Sequence, residues 1–298
     1  MTRIQQGYLS AFSAVLIWSG FILVSRMGGV SELSYFDVIA IRYATCACLL
    51  LPVWWFRKRF NLLNPKLIIA SLVGGLAYAL CTFRGFQLSS ASHAALLLPG
   101  MMPLFIIVLS RMINREAQTK QKWIGVGVIT LGVSALFLTE VSGAKGILPG
   151  DFWLLAGSFF WALFSVLIKR WHITPWQVTV SLSVITCALY LPVYLIWLPK
   201  NIDPSLWSDV LLQALYQGVL ATIVQMMFYV KAVQIIGPSS MGTMMAIVPV
   251  LSGISAILLF DEPASVALLV GLVSVSIGAW VANRGGTLVG TKSESSHS

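Results

Sequence analysis

The sequence predicts an all-α membrane protein of ten transmembrane helices, built as an inverted 5+5 structural repeat. Three observations carry this. Hydrophobic residues make up 58% of the 298 residues and charged residues only 10%, against about 25% charged in an ordinary soluble domain. Apolar runs long enough to cross a bilayer recur along the whole chain. Short residue patterns from the first half also return in the second at a nearly fixed spacing.

A mean hydropathy of +0.87 describes a surface that water does not solvate, so lipid must. A spanning helix needs about 20 apolar residues. Ten segments qualify: 7–26, 34–56, 66–87, 90–112, 122–139, 151–169, 175–198, 208–234, 239–260 and 264–284. Their connections are short and leave no room for a soluble domain. In hydrocarbon the backbone must satisfy its own hydrogen bonds, which favours helix in every segment. The first run lacks a small-x-small cleavage pattern and many similar runs follow, so it reads as a retained helix. Cys46, Cys48, Cys81 and Cys187 all lie inside apolar runs. None forms a Cys-x-x-Cys pair, so they read as small buried residues, with no metal site and no cofactor expected.

Basic residues exceed acidic ones by nine, which in so apolar a chain points to loops facing an anionic bilayer rather than to nucleic acid. With the N-terminus in the cytoplasm, fourteen of the nineteen Lys and Arg fall on that side, among them Arg3, Arg57, Lys58, Arg59, Arg111, Arg115, Lys169 and Lys292. Only Arg26, Arg84, Lys145 and Lys200 fall outside, and Arg42 sits within the second segment. The positive-inside rule therefore places both termini in the cytoplasm of a multi-pass cell-membrane protein, with a bacterial inner membrane expected. Residues 287–298 read as a disordered tail.

The repeat appears first in two stretches, WSGFILVSR from Trp18 and WALFSVLIK from Trp161, 143 residues apart. Pro103 and Pro249, Glu116 and Glu262, Gly125 and Gly271, and Gly132 and Gly278 are each 146 apart. Arg84 and Lys231, and Gln87 and Gln234, are 147 apart. Five helices per half is an odd number, so the second half enters the membrane upside down. The expected units are residues 1–143 and 144–286. Inverted repeats are a construction many secondary transporters use, because the two halves can exchange conformations.

The ten segments, the Trp of the first and sixth, the Arg42-Tyr43 step and the Pro–Glu pairs after the fourth and ninth resemble the EamA-type drug/metabolite transporters. The resemblance covers roughly residues 7–284. Ser19-Gly20 after Trp18 departs from the Gly and small polar residues of many members. The resemblance implies a central cavity lined by the first, third, fourth, sixth, eighth and ninth helices, with Trp18 and Trp161 as walls or gates.

Polar residues at membrane depth are the candidate site. Arg42 lies ~12 Å into its helix at ~1.5 Å per residue, where an unpaired charge is costly. It would hold a substrate carboxylate through a forked hydrogen bond, or else cap a helix end or pair with Asp37, five residues before it. Tyr78 and Thr82 are four apart and share a face. Their counterparts at the 147-residue offset are Gln225 and Tyr229. The four side chains either converge on a pocket or bond neighbouring helices. His93 is a proton-sensitive group at the outer mouth or an interfacial histidine. Pro99, Pro103 and Pro249 are candidate hinges.

These residues favour a membrane transporter, an exporter of small polar metabolites such as amino acids, working by alternating access. No carboxylate lies at the middle of a segment, which argues against lipophilic cations as substrates. The expected partners are a small-molecule substrate and the bilayer, with protons as a candidate coupling ion, in a monomer or homodimer. An uncoupled facilitator and a multidrug exporter remain open. From a different class, an intramembrane enzyme is disfavoured because no nucleophile elbow or metal motif occurs.

Overall fold

The computed structural model describes residues 1–28, 33–56, 59–89, 94, 96–140, 142, 147–260 and 266–284. Helix lies over every expected segment, and the described residues contain no strand. In chain order the helices are α1 (Arg3–Gly28), α2 (Tyr35–Phe56), α3 (Pro65–Leu88), α4 (Met102–Ile113), α5 (Lys120–Glu140), α6 (Pro149–Arg170), α7 (Pro175–Trp197), α8 (Pro204–Ile236), α9 in two segments (Pro238–Met245 and Ile247–Phe260) and α10 (Val266–Arg284). Among the described residues six are long and apolar enough to cross a membrane, namely α1, α2, α3, α6, α7 and α8. His93, Arg57, Lys58, Lys145, Glu262, Lys292 and the tail 287–298 lie outside the described residues.

The sequence starts several helices by the same device. Pro65, Pro149 and Pro175 occupy the first helical turn, where no N–H is needed. The Asn64 side chain accepts from Lys66 N at 3.0 Å, and Thr174 and Gln177 close a reciprocal cap on α7. Pro103 acts likewise, standing in the first turn of α4. The interruption lies just ahead of it, at residues 98–101, and that in α9 lies at Ala246, ahead of Pro249. Pro103 and Pro249 therefore restart helices after a break rather than kinking continuous ones.

Four antiparallel pairings build the bundle: α3 on α6, α1 on α8, α2 on α7 and α5 on α10. Exchanging each helix with the one five places later leaves this set unchanged. The contacts inside the pairs follow the same exchange. A Cβ on Gly150 of α6 would stand 2.5 Å from Ser89 N at the end of α3, and one on Gly7 of α1 would stand 2.7 Å from Ile236 of α8. Gly7 and Gly150 are 143 apart, and Ser89 and Ile236 are 147 apart. On α5, a Cβ at Gly125 would stand 2.5 Å from Gly278 O, and one at Gly132 would stand 3.6 Å from Gly271 O. Such small-residue contacts let backbones approach where lipid offers no hydrophobic drive between helices.

The cysteines are all free; Cys46 and Cys81 are buried, but Cys48 is exposed. An apolar thiol on a lipid-facing surface costs nothing there, so its apolar surroundings in sequence did not imply burial.

Replacing Gly150 by Val forces α6 away from the end of α3 and should cost about 1–3 kcal/mol of stability. Gly127→Ala, with nothing within 4 Å of the added Cβ, should instead be neutral or stabilising by up to about 1 kcal/mol. Thermal unfolding in detergent compares the two.

Candidate functional site

Two wide π-helical segments organise the centre. One spans Leu72–Ala77 within α3, the other Ala214–Val224 within α8. They end immediately before Tyr78 and Gln225, the residues paired by the 147-residue offset in the sequence. A π turn misaligns the ladder and recurs at functional sites. Carbonyls at such turns accept from side chains as well as from the backbone: Gly75 O takes the Tyr78 N–H. Side chains of α2 supply further donors: Tyr43 Oη donates to Gly75 O at 3.1 Å, and Cys46 Sγ to Gly218 O at 3.0 Å. Tyr43 and Cys46 are three apart and share a face. Gly75 and Gly218 are required by close approach, because a Cβ at Gly218 would press on Thr45 at 2.9 Å and one at Gly75 would overlap the Thr186 hydroxyl.

Beside these segments an aromatic cluster joins four helices. The rings of Trp18 and Trp161 lie 5.0 Å apart between centroids, Tyr78 and Trp161 4.6 Å, and Trp161 and Tyr229 5.1 Å. Trp18 also reaches Tyr78 at 6.4 Å. None of the four is more than 2% exposed. The matched tryptophans thus touch each other, and the structure brings Trp18, Tyr78, Trp161 and Tyr229 into one cluster. Tyr229 Oη makes a short 2.5 Å hydrogen bond to Ser165 Oγ. Thr82 is buried at the α3–α6 contact, opposite Gly157. Gln225 is fully buried, and neither its Oε1 nor its Nε2 has a hydrogen-bond partner.

Arg42 lies one ring away. Its guanidinium carbon stands 5.9 Å from the Phe21 ring, 5.7 Å from Tyr43 and 5.8 Å from Phe83. Phe21 in turn stacks on Trp18 at 6.1 Å. The side chain is 3% exposed, and its Nε and Nη1 are buried with no partner. The Asp37 pairing does not form. Asp37 accepts instead from Ser34 Oγ at 2.6 Å, Tyr194 Oη at 2.6 Å and Asn201 N at 3.2 Å. Aromatic faces offset part of the charge's desolvation, but the forked N–H donors remain unused. Removing a buried charge from water costs at least a few kcal/mol, so the arrangement is suited to an anionic oxygen.

His93 falls outside the described residues. Pro99 and Pro103 are buried at the α4 break and Pro249 at the α9 break, with no ring in the aromatic cluster. Sequence reasoning missed Tyr43, Ser165 and Phe83 as members of this centre. Phe21 was visible as the Phe three residues after Trp18 in the repeated stretch. Gly74-Gly75 was the one trace of the π segment in α3; a helix interior seldom spends two glycines without a packing reason.

Tyr43→Phe removes one of two donors to Gly75 O, which keeps the Tyr78 N–H, and should lower stability by about 0.5–1.5 kcal/mol, the net worth of one hydrogen bond. Tyr190→Phe removes a bond to Phe36 O nearer the helix end, where water can substitute, and should cost less. Denaturation of both variants in matched detergent checks the order.

Comparison with known proteins finds relatives of the chain. The profile of the EamA-like transporter family matches residues 5–138 and 148–284. Two proteins of Bacillus subtilis (strain 168) are similar. "Uncharacterized transporter YyaM" is 26% identical over 230 residues, covering 72% of each chain. "Uncharacterized transporter YetK" is 24% identical over 291 residues, covering 92% of this chain and 86% of its own. A solved structure described as "Crystal structure of protein" shares the fold, with a TM-score of 0.71 over 94% of this chain and 97% of its own at 21% identity.

Proposed function

The chain belongs to the EamA-like transporter family of membrane proteins, and from that premise we propose that it exports small anionic or zwitterionic metabolites of amino-acid type by alternating access. The observation that carries this reading is Arg42, a buried guanidinium with unused donors beside an aromatic cluster. Its planar fork matches a carboxylate. The unpartnered amide of Gln225 offers both a donor and an acceptor for the rest of a polar solute. The rings of Trp18, Tyr78, Trp161 and Tyr229 form an apolar wall against which the remainder of the solute packs. Polar groups that lack partners in the closed cluster favour admitting a ligand, because binding satisfies them.

Residues 1–143 and 144–286 act as two inverted five-helix units in this reading. Support comes from helix pairings unchanged by exchange of the units and from π segments ending at positions 147 apart. The helix breaks ahead of Pro103 and Pro249 serve as the paired hinges. When one unit takes the other's conformation, the cluster opens to the opposite side of the membrane. The fourteen-to-four distribution of basic residues supports termini in the cytoplasm.

Arg42→Lys should reduce flux into proteoliposomes more than about tenfold, since an ammonium keeps the charge but loses the fork. Gln225→Ala and Tyr78→Phe should reduce flux with little change in thermal stability. A panel of radiolabelled amino acids and small carboxylates provides the substrates. Undiminished flux in all three variants, or preferred transport of lipophilic cations, contradicts the site.

Orientation has its own check. Single cysteines placed at positions 120 and 145 in a background without native cysteines should react with an impermeant reagent from the cytoplasmic and outer side respectively. The reverse pattern inverts the assigned orientation.

A further inference from the structure

A second site lies at the end of the molecule where α4 and α6 finish. There a cleft of about 610 Å³ opens between residues 112–116 and the trio Lys169, Arg170 and His172. It is separate from the aromatic cluster: Lys169 follows Trp161 by eight residues, ~12 Å along the helix at ~1.5 Å per residue. Four side chains able to carry positive charge face one carboxylate, Glu116, which accepts from Gln118 Nε2 at 3.2 Å.

The backbone shows that the cations are held there against a local preference. Arg115 (φ 54°) and His172 (φ 52°) are the two non-glycine residues with positive φ among the described residues, and both line this cleft. His172 occupies the position after a helix end where glycine is favoured: its N–H donates to Lys169 O at 3.2 Å, and Ile173 N–H to Ile168 O at 3.1 Å. A left-handed backbone is strained for any residue with a Cβ, and such strain concentrates where a side chain has a task. Two of the cations are pinned: Lys169 Nζ donates to Gln234 O at 2.7 Å and Arg170 Nη1 to Ile113 O at 2.5 Å. Each keeps further donors. The side chains of Arg115 and His172 have no hydrogen-bond partner among the described residues. Asn114, in the same wall, has a buried Oδ1 without a partner. Met112, 71% exposed, puts an apolar rim on the cleft.

We propose that this cleft binds an anionic, phosphate-bearing headgroup, with Arg115, Lys169, Arg170 and His172 around the phosphate and Asn114 accepting from a hydroxyl on its substituent. Arginine forks and lysine ammonium groups are the donors that phosphate oxygens match. Basic pockets between membrane helices recur as sites for anionic lipid headgroups, and the Met112 rim suits an acyl chain. The inference is independent of what the central cluster transports.

The test uses the backbone strain. Glycine relaxes a positive φ, so Arg115→Gly and His172→Gly should leave the melting temperature unchanged or raised while weakening the ligand. Native mass spectrometry of the full chain, equilibrated with phosphatidylglycerol or phosphatidylcholine, reads lipid retention. A parallel arm titrates inorganic phosphate and glycerol 1-phosphate. The wild type should retain phosphatidylglycerol preferentially, and each variant should lose about tenfold in retention, the scale of a lost charge-assisted hydrogen bond. Displacement by the soluble phosphates, with the same sensitivity to both variants, would support the phosphate chemistry and assign its source to solution. Equal retention of the two lipids without phosphate binding, or wild-type binding by both variants, overturns the proposal.

Discussion

Every backbone polar group in the bilayer core must be satisfied by the protein itself, and the centre of this structure depends on how that constraint is met. Regular helix meets it within each segment. The π turns of α3 and α8 carry additional bonds from outside the helix, because Tyr43 and Cys46 of α2 reach the carbonyls of Gly75 and Gly218. Those bonds fix α2 against both widened helices. The same packing holds Arg42 next to Phe21 and Phe83. A charge that water would otherwise claim is thereby kept inside, at the edge of the aromatic cluster.

The second constraint is the absence of a hydrophobic drive between helices in lipid. Close contacts must come from shape, and small residues provide it at places spaced alike in the two halves of the sequence. Gly7 and Gly150 meet the ends of α8 and α3, while Gly125 and Gly132 meet Gly278 and Gly271 across α5 and α10. Backbone-to-backbone contacts of this kind have few alternative arrangements. The proposed transport cycle moves between two such arrangements related by exchange of the halves.

The helices were legible because lipid demands long apolar runs, and starts such as Asn64-Pro65 and Thr174-Pro175 carry their own caps. The offset between halves singled out Trp18 with Trp161 and Tyr78–Thr82 with Gln225–Tyr229, and of these the rings of Trp18, Tyr78, Trp161 and Tyr229 lie together. The π turns were not legible, because hydropathy is blind to a one-residue change in helical pitch. Nor was the fate of Asp37 visible: its partners Tyr194 and Asn201 lie more than 150 residues away in sequence. The prolines marked irregular helix in the sequence, and the structure adds their position: the break lies at 98–101, and Pro103 stands in the first turn of the helix that follows.

Alternating access through the central cluster is tested most directly at Thr82, a buried residue between α3 and α6 whose replacement by cysteine is nearly isosteric. In a background without native cysteines, Thr82→Cys would be exposed to an impermeant thiol reagent from one side of sealed vesicles and then, separately, from the other. The account predicts modification from both sides, each rate responding to a transported substrate. Modification from one side alone, or from neither, would contradict it.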